Sequence, residues 1–267
     1  MKSDKPKIKP EAYSERVYRK LITQTGLVST HVRIEETDLH ILAMADVTEQ
    51  ATDLILKYRA QLERYIVKNP QFCASLDPLV TDKIVPPLVR DMLDAGVQAG
   101  VGPMAAVAGA VAEYVGKGLV ASGFAEVMVE NGGDIFLQRS RDCTVAIFAG
   151  ESPLSYRVGL KISSALMPLG ICTSSGTVGH SLSMGEADSV TVLSRSTSLA
   201  DAVATRLGNE VGCAGNGEVG IKNALAVAGE IEGIIGVVVI CKEQMGALGN
   251  VELIKIDMVE DAGNGGR

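Results

Sequence analysis

Three short segments combine carboxylates, hydroxyls, amides and glycines in ways that could hold an ion or a phosphorylated molecule. The first is Asn131-Gly132-Gly133-Asp134. Asn and Gly accept the positive φ of a primed hairpin turn, so a plain turn is one reading. The other is a ligand approach. Asp134 stands where the chain re-enters a strand, and two glycines beside it leave the backbone open to a guest. The second segment runs from Cys172 to His180 through Thr173, Ser174, Ser175, Gly176 and Thr177. Hydroxyls and successive amides in a Gly-containing loop can form a concave donor surface for phosphate or carboxylate. No Lys follows the Gly, so a Walker A loop is excluded. His180 could orient or protonate a ligand, although a lone His is more often structural. The third segment is 198–205, where Asp201 and Thr205 stand four apart and share one face of a helix. A carboxylate and a hydroxyl so placed, completed by backbone carbonyls and substrate oxygens, suit magnesium. The plainer role for Asp201 is to cap its own helix start, where the dipole favours an acid. Together the three segments predict a glycine-rich anion pocket.

A different chemistry would use sulfur. The five cysteines, Cys73, Cys143, Cys172, Cys213 and Cys241, are widely spaced, odd in number and contain no C-x-x-C, which argues against a disulfide framework and a cysteine zinc site. Cys172 immediately precedes the donor-rich segment, and amides there could lower its pKa and let it carry a persulfide. Cys213, between Gly212 and Ala214, is the second choice.

The elements that must position these residues read as α+β with mixed or antiparallel sheets. Strands are expected at 16–22, 31–34, 39–43, 126–130, 134–137, 144–148, 158–162, 190–193, 234–241 and 252–256. Helices are expected at 48–67, 82–95, 199–212 with Ser198 as N-cap, and 218–231. Residues 101–122 are so rich in Gly and Ala that a helix there must lie close to a neighbour. Tight packing is one reading, and a ligand at the Gly100 and Gly102 amides is the other. That helix packs inside one subunit or between two, the latter giving a homodimer. Residues 11–260 form one domain between flexible tails at 1–10 and 261–267.

Composition narrows the partners. The formal charge is −7 over 267 residues, with no Lys/Arg stripe interleaved with aromatics, which argues against nucleic acid. No run approaches the ~20 apolar residues of a membrane span, and the Lys-rich start has no apolar signal region. A cytoplasmic protein that takes a small phosphorylated ligand is the expectation.

The order of the motifs resembles a known family. Asn131-Gly132-Gly133-Asp134-Ile135, Thr173-Ser174-Ser175-Gly176, His180, Ser189-Val190-Thr191-Val192 and Ala200-Asp201-Ala202-Val203-Ala204-Thr205 follow the sequence of blocks found in FAD:protein FMN transferases, the ApbE family. The likeness covers roughly residues 100–210. It implies an ApbE-like, T-fold-like architecture, FAD or FMN held by Asn131–Asp134 and Thr173–Gly176, His180 in a catalytic role, and magnesium on Asp201 and Thr205. Two departures stand out: the Asp-Pro that the family places after its His is Ser181-Leu182-Ser183-Met184 here, and Thr-Ser-Gly carries an extra Ser. Over the whole chain the resemblance is to the compact cytoplasmic UPF0280-like branch. That branch implies a protein partner in sulfur metabolism, including homocysteine formation. Three functions follow as alternatives: a flavin-nucleotide enzyme with a divalent metal, a persulfide carrier, and a metabolite-binding module without turnover.

Overall fold

The computed structural model describes residues 26–81, 84–175, 187–212 and 217–256. The expected strand at 16–22, both tails, Gly176, His180 and Cys213 lie outside the described residues.

Strand pairing follows side-chain alternation. In β3 (Val127–Asn131), Val127 and Val129 face one side with Phe136 of β4 (Asp134–Gln138), while Met128 faces the other with Ile135 and Leu137. Both faces are apolar, so the sheet must be covered twice. An antiparallel eight-stranded sheet results, in the order β1-β2-β3-β4-β7-β8-β9-β10. Its other members are β1 (Val28–Ile34), β2 (Thr37–Ala43), β7 (Leu169–Ser174), β8 (Ser189–Ser194), β9 (Ile234–Cys241) and β10 (Gln244–Gly249). A small sheet of β5 (Cys143–Ala146), β6 (Val158–Ile162) and β11 (Glu252–Lys255) covers one face. Leu160 and Ile162 of that sheet meet Ile171, Leu193 and Val238 of the large one.

Helices cover the opposite face. Helix α1 (Thr48–Lys68) buries Ala51, Ile55 and Leu62. A single turn, α2 (Gln71–Ala74), follows, and then α3 (Pro87–Ala99). Helix α3 starts later than the 82–95 expected from sequence. Proline disfavours α geometry in the residue before it, and Pro86 is extended at φ −54, ψ 143, so Pro87 becomes the first helical residue. Gly100, left-handed at φ 73, ends the helix by giving its N–H to the carbonyl of Gly96. The 3-10 turn Pro103–Ala106 then leads into α4 (Val107–Ala121), and α5 (Thr197–Gly212) and α6 (Gly217–Ala228) complete the layer.

The Gly/Ala content of α4 is explained by packing within the chain. A Cβ at Gly116 would lie 2.1 Å from the Phe136 ring, and one at Gly109 2.5 Å from the carbonyl of Thr197. Helix α4 is thereby held against α1, α5, β3 and β4. Length and mean hydropathy alone would let Pro103–Ala121 cross a membrane, but half of that stretch is buried in this fold.

Two strands depart from expectation. Residues 172–174, the start of the segment read as a polar loop, instead end β7 (Leu169–Ser174), a central strand paired to both β4 and β8. β10 has the sequence Gln-Met-Gly-Ala-Leu-Gly, which lacks β-branched residues. It forms through its antiparallel ladder with β9.

Candidate functional site

The β3–β4 turn, the end of β7 and the start of β8 meet at one end of the large sheet, with the starts of α4 and α5 packed over the helix-covered face. Gly132 and Gly133 have φ of 71 and 108, so residues 131–134 are a tight primed turn. Its amide is engaged internally: the Gly133 N–H donates to Glu130 Oε1 at 2.8 Å. Asn131 Nδ2 donates to the carbonyl of Ala108 at 3.0 Å, fastening the turn to the start of α4.

Alternation along β7 divides the hydroxyls expected to act together. Cys172 and Ser174 face the helices, whereas Thr173 faces the small sheet and places its Oγ1 3.0 Å from Thr191 Oγ1. Asp134 shares the helix side with Phe136, and its Oδ1 accepts the Thr173 N–H at 3.3 Å. Ser174 is buried, and among the described residues its Oγ has no hydrogen-bond partner.

Asp201 reaches this centre from α5. Its Oδ2 accepts the Gly109 N–H at 2.8 Å, so it caps α4 rather than its own helix. The cap of α5 comes from Ser196, whose Oγ accepts the Leu199 N–H, and from Glu113 on α4. Glu113 Oε2 accepts the N–H groups of Thr197 and Ser198 at 2.7 and 3.1 Å, and Oε1 takes Lys117 Nζ at 2.6 Å. Hydrogen bonds to a charged partner contribute about 1.5–3 kcal/mol each. Two such carboxylates therefore lock α4 and α5 in one register.

Asp134 and Asp201 are 7% and 9% exposed. Burial, and then repulsion from Asp134, push the Asp201 carboxyl well above the usual carboxylate range. The amides of Gly109 and Ala108 oppose this shift. A buried pair of like charges keeps a proton or gathers a cation. The groups that could hold a cation from these elements are the two carboxylates, the Ser174 hydroxyl, and half-buried Thr205 one turn beyond Asp201. Magnesium is held by one or two carboxylates and completes its shell with water and phosphate oxygens. Among the described residues no cluster of three or more His, Cys, Asp or Glu could hold a metal, which excludes a cage made wholly of those side chains there.

Three expectations are corrected. The second half of the predicted anion cradle, from Gly176 to His180, lies outside the described residues. In its described part the Gly133 and Thr173 amides are taken by Glu130 and Asp134, so these two are not open to an anion. What these residues form is an acidic centre. Cys172 also fails as an activated thiol. It is 0% exposed, lies 3.3 Å from the Thr197 carbonyl, and burial, followed by Asp134 and Asp201, pushes its pKa well up. The Gly100 and Gly102 amides are not a ligand-binding helix start either. Gly100 ends α3, and a Cβ on Gly102 would meet the Ser75 carbonyl at 1.9 Å. Glu113 was missed, yet a signal existed: it is the single charged residue in 101–116.

Comparison with known proteins gives a consistent picture. A family model described as AbpE bacteria matches residues 19–232. The UPF0280 protein of Methanocaldococcus jannaschii is 44% identical over 212 residues, covering 78% of this chain and 85% of the relative. A UPF0280 protein of Methanococcus maripaludis is 44% identical over 220 residues, covering 81% and 88%. Among solved structures, the apo form of the Pseudomonas stutzeri flavinyl transferase ApbE aligns with TM-score 0.54 at 14% identity, over 84% of this chain and 94% of that one. At that identity the likeness shows the fold, which is ApbE-like α+β.

Proposed function

The chain belongs to the AbpE bacteria family, and on that premise we propose that Asp134 and Asp201 hold a divalent cation, magnesium first, through which the protein binds a flavin nucleotide or a similar phosphorylated ligand. The observation that carries this reading is the buried pair of carboxylates, whose like charges a cation would offset. The Gly133, Thr173 and Gly109 amides are already used, so phosphate would be recruited through the metal rather than by these donors. A magnesium ion bound there supplies charge neutralisation at phosphate oxygens.

The chain's own groups do the rest. Asp201 is fixed against α4 by the Gly109 N–H, and Asp134 by the Thr173 N–H, so both oxygens are pre-positioned. Ser174 offers a buried hydroxyl to a coordinated water or phosphate oxygen. Thr205 extends the same face of α5 by one turn. Glu113 keeps the first turn of α5, and hence Asp201, in place.

Titration calorimetry with FAD tests the reading, in the presence and absence of magnesium. We expect binding that needs the metal and is lost in Asp201→Asn. FAD affinity that is the same without magnesium contradicts it.

A second reading is binding without turnover, which needs no imidazole at the centre. His31 and His40 stand on the face of β1–β2 away from Asp201, so they bring no imidazole to the centre. Chromatographic analysis after long incubation with FAD and magnesium separates the two. Release of AMP with FMN attached to an acceptor threonine supports transfer, and intact FAD supports a binding module.

A further inference from the structure

Two of the chain's three histidines meet on the face of β1–β2 opposite the acidic centre. Pairing sets His31 of β1 opposite His40 of β2, and His40 opposite Glu130 of β3. These residues, with Ser29, Arg33 and Asp38, share one face because Val32, Leu39, Ile41 and Val129 turn to the helices. His31 Nε2 is paired with Asp38. His40 is buried, and its Nε2 lies 2.8 Å from Oγ of the exposed Ser29. Glu130, also buried, stands directly across the strand, where opposed Cβ atoms are ~5 Å apart.

An accessible hydroxyl with an imidazole at hydrogen-bond distance makes a nucleophile and its base, and Glu130, whose Oε1 accepts the Gly133 N–H, adds a carboxylate to the same face. We propose that Ser29 is a base-activated hydroxyl that accepts an acyl group from activated esters, with His40 as its base. With the ring proton on Nδ1, Nε2 accepts the Ser29 proton. Oγ then bonds to the acyl carbon, the ester C–O bond breaks, the alcohol or phenol leaves as its anion, and the proton passes from His40 to solvent. The product is O-acyl Ser29. This inference is independent of the cation-site reading, since the constellation lies on the other face of the sheet.

The probe is p-nitrophenyl acetate, with the acetylated residue located by peptide mass spectrometry. A positioned base contributes about 10²–10⁴-fold. Ser29 of the folded protein is therefore expected to acetylate at least ~100-fold faster than in the urea-unfolded chain. The label disappears in Ser29→Ala, and the rate falls at least ~10-fold in His40→Gln. If His40→Gln does not fold, the wild-type pH–rate profile decides. It is expected to level off above the titration of an imidazole base, with His31, Arg33, Asp38 and Glu130 the charged and titratable groups on the same face. Acetyl groups on lysines alone, equal Ser29 rates in folded and unfolded chains, or a rate that climbs with hydroxide and shows no plateau would overturn the proposal.

Discussion

Glu113 and Asp201 each cap the other's helix: Glu113 on α4 binds the first amides of α5, and Asp201 on α5 binds Gly109 at the start of α4. Neither acid caps its own helix, so each of these caps exists only when both helices are docked. The reciprocity joins the fold to the site, because the contact that seats α5 also holds Asp201 where it feels the charge of Asp134.

Removing Glu113 should therefore loosen the first turn of α5. Glu113→Ala leaves the Thr197 and Ser198 amides without this acceptor, at a cost of about 2–4 kcal/mol. Glu113→Gln keeps an acceptor and should lose about half of that. Hydrogen exchange is expected to quicken at Thr197 and Ser198 first. Unchanged protection at both amides in Glu113→Ala would contradict the reciprocal cap.

The Asp134–Asp201 pair predicts how metal-free stability depends on pH. The folded-state pKa of Asp201 lies above its unfolded value, so the folded protein binds the extra proton. Stability from this group is highest below the ordinary carboxylate pKa of ~3.9 and declines as pH rises toward the folded value. Asp201→Asn removes that decline, and its metal-free melting temperature near neutral pH should equal or exceed that of the wild type. The measurement is thermal unfolding across pH in the presence of chelator. A mutant and wild type with parallel pH profiles would show that Asp201 is not strained by its neighbour.

Gly116 is a packing position rather than a source of flexibility. Gly116→Ala drives a methyl into the Phe136 ring, where the built Cβ would be 2.1 Å away. Overpacking of this kind costs about 1–3 kcal/mol. For a chain of this size the melting temperature should fall by about 2–4 °C per kcal/mol. No change in melting temperature would mean that α4 and β4 are further apart than described.

Cys172 should resist alkylation in the native protein. Exposed Cys73 is expected to react with iodoacetamide first and Cys172 only on unfolding. Rapid native labelling of Cys172 would restore a sulfur-carrying role for it.

Much of this was visible in the residues. The turn at Asn131–Asp134 and the strands on either side follow from two glycines flanked by apolar alternation, and Asp201 sits on α5 as its spacing implies. Thr173 and Ser174 misled because hydroxyls resemble a loop when β7 is viewed alone. Its place between β4 and β8 comes from pairing, which is not local, and pairing then sends Thr173 to one face and Ser174 to the other. The engagement of the amides was also hidden. Glu130, Asp134 and Asp201 fill donors that the sequence left open, and only the tertiary fold brings Gly109 to a residue 92 positions away.

The centre is tested most directly by the stoichiometry and affinity of manganese binding, read by electron paramagnetic resonance as a stand-in for magnesium. One ion should bind per chain, with affinity lowered at least ~10-fold, about 1.4 kcal/mol, in Asp134→Asn and in Asp201→Asn. The double mutant should lose less than the two single losses added together, as groups sharing one ligand are coupled. One-to-one binding that neither substitution weakens would show that the ion sits elsewhere and that the two carboxylates do not form its site.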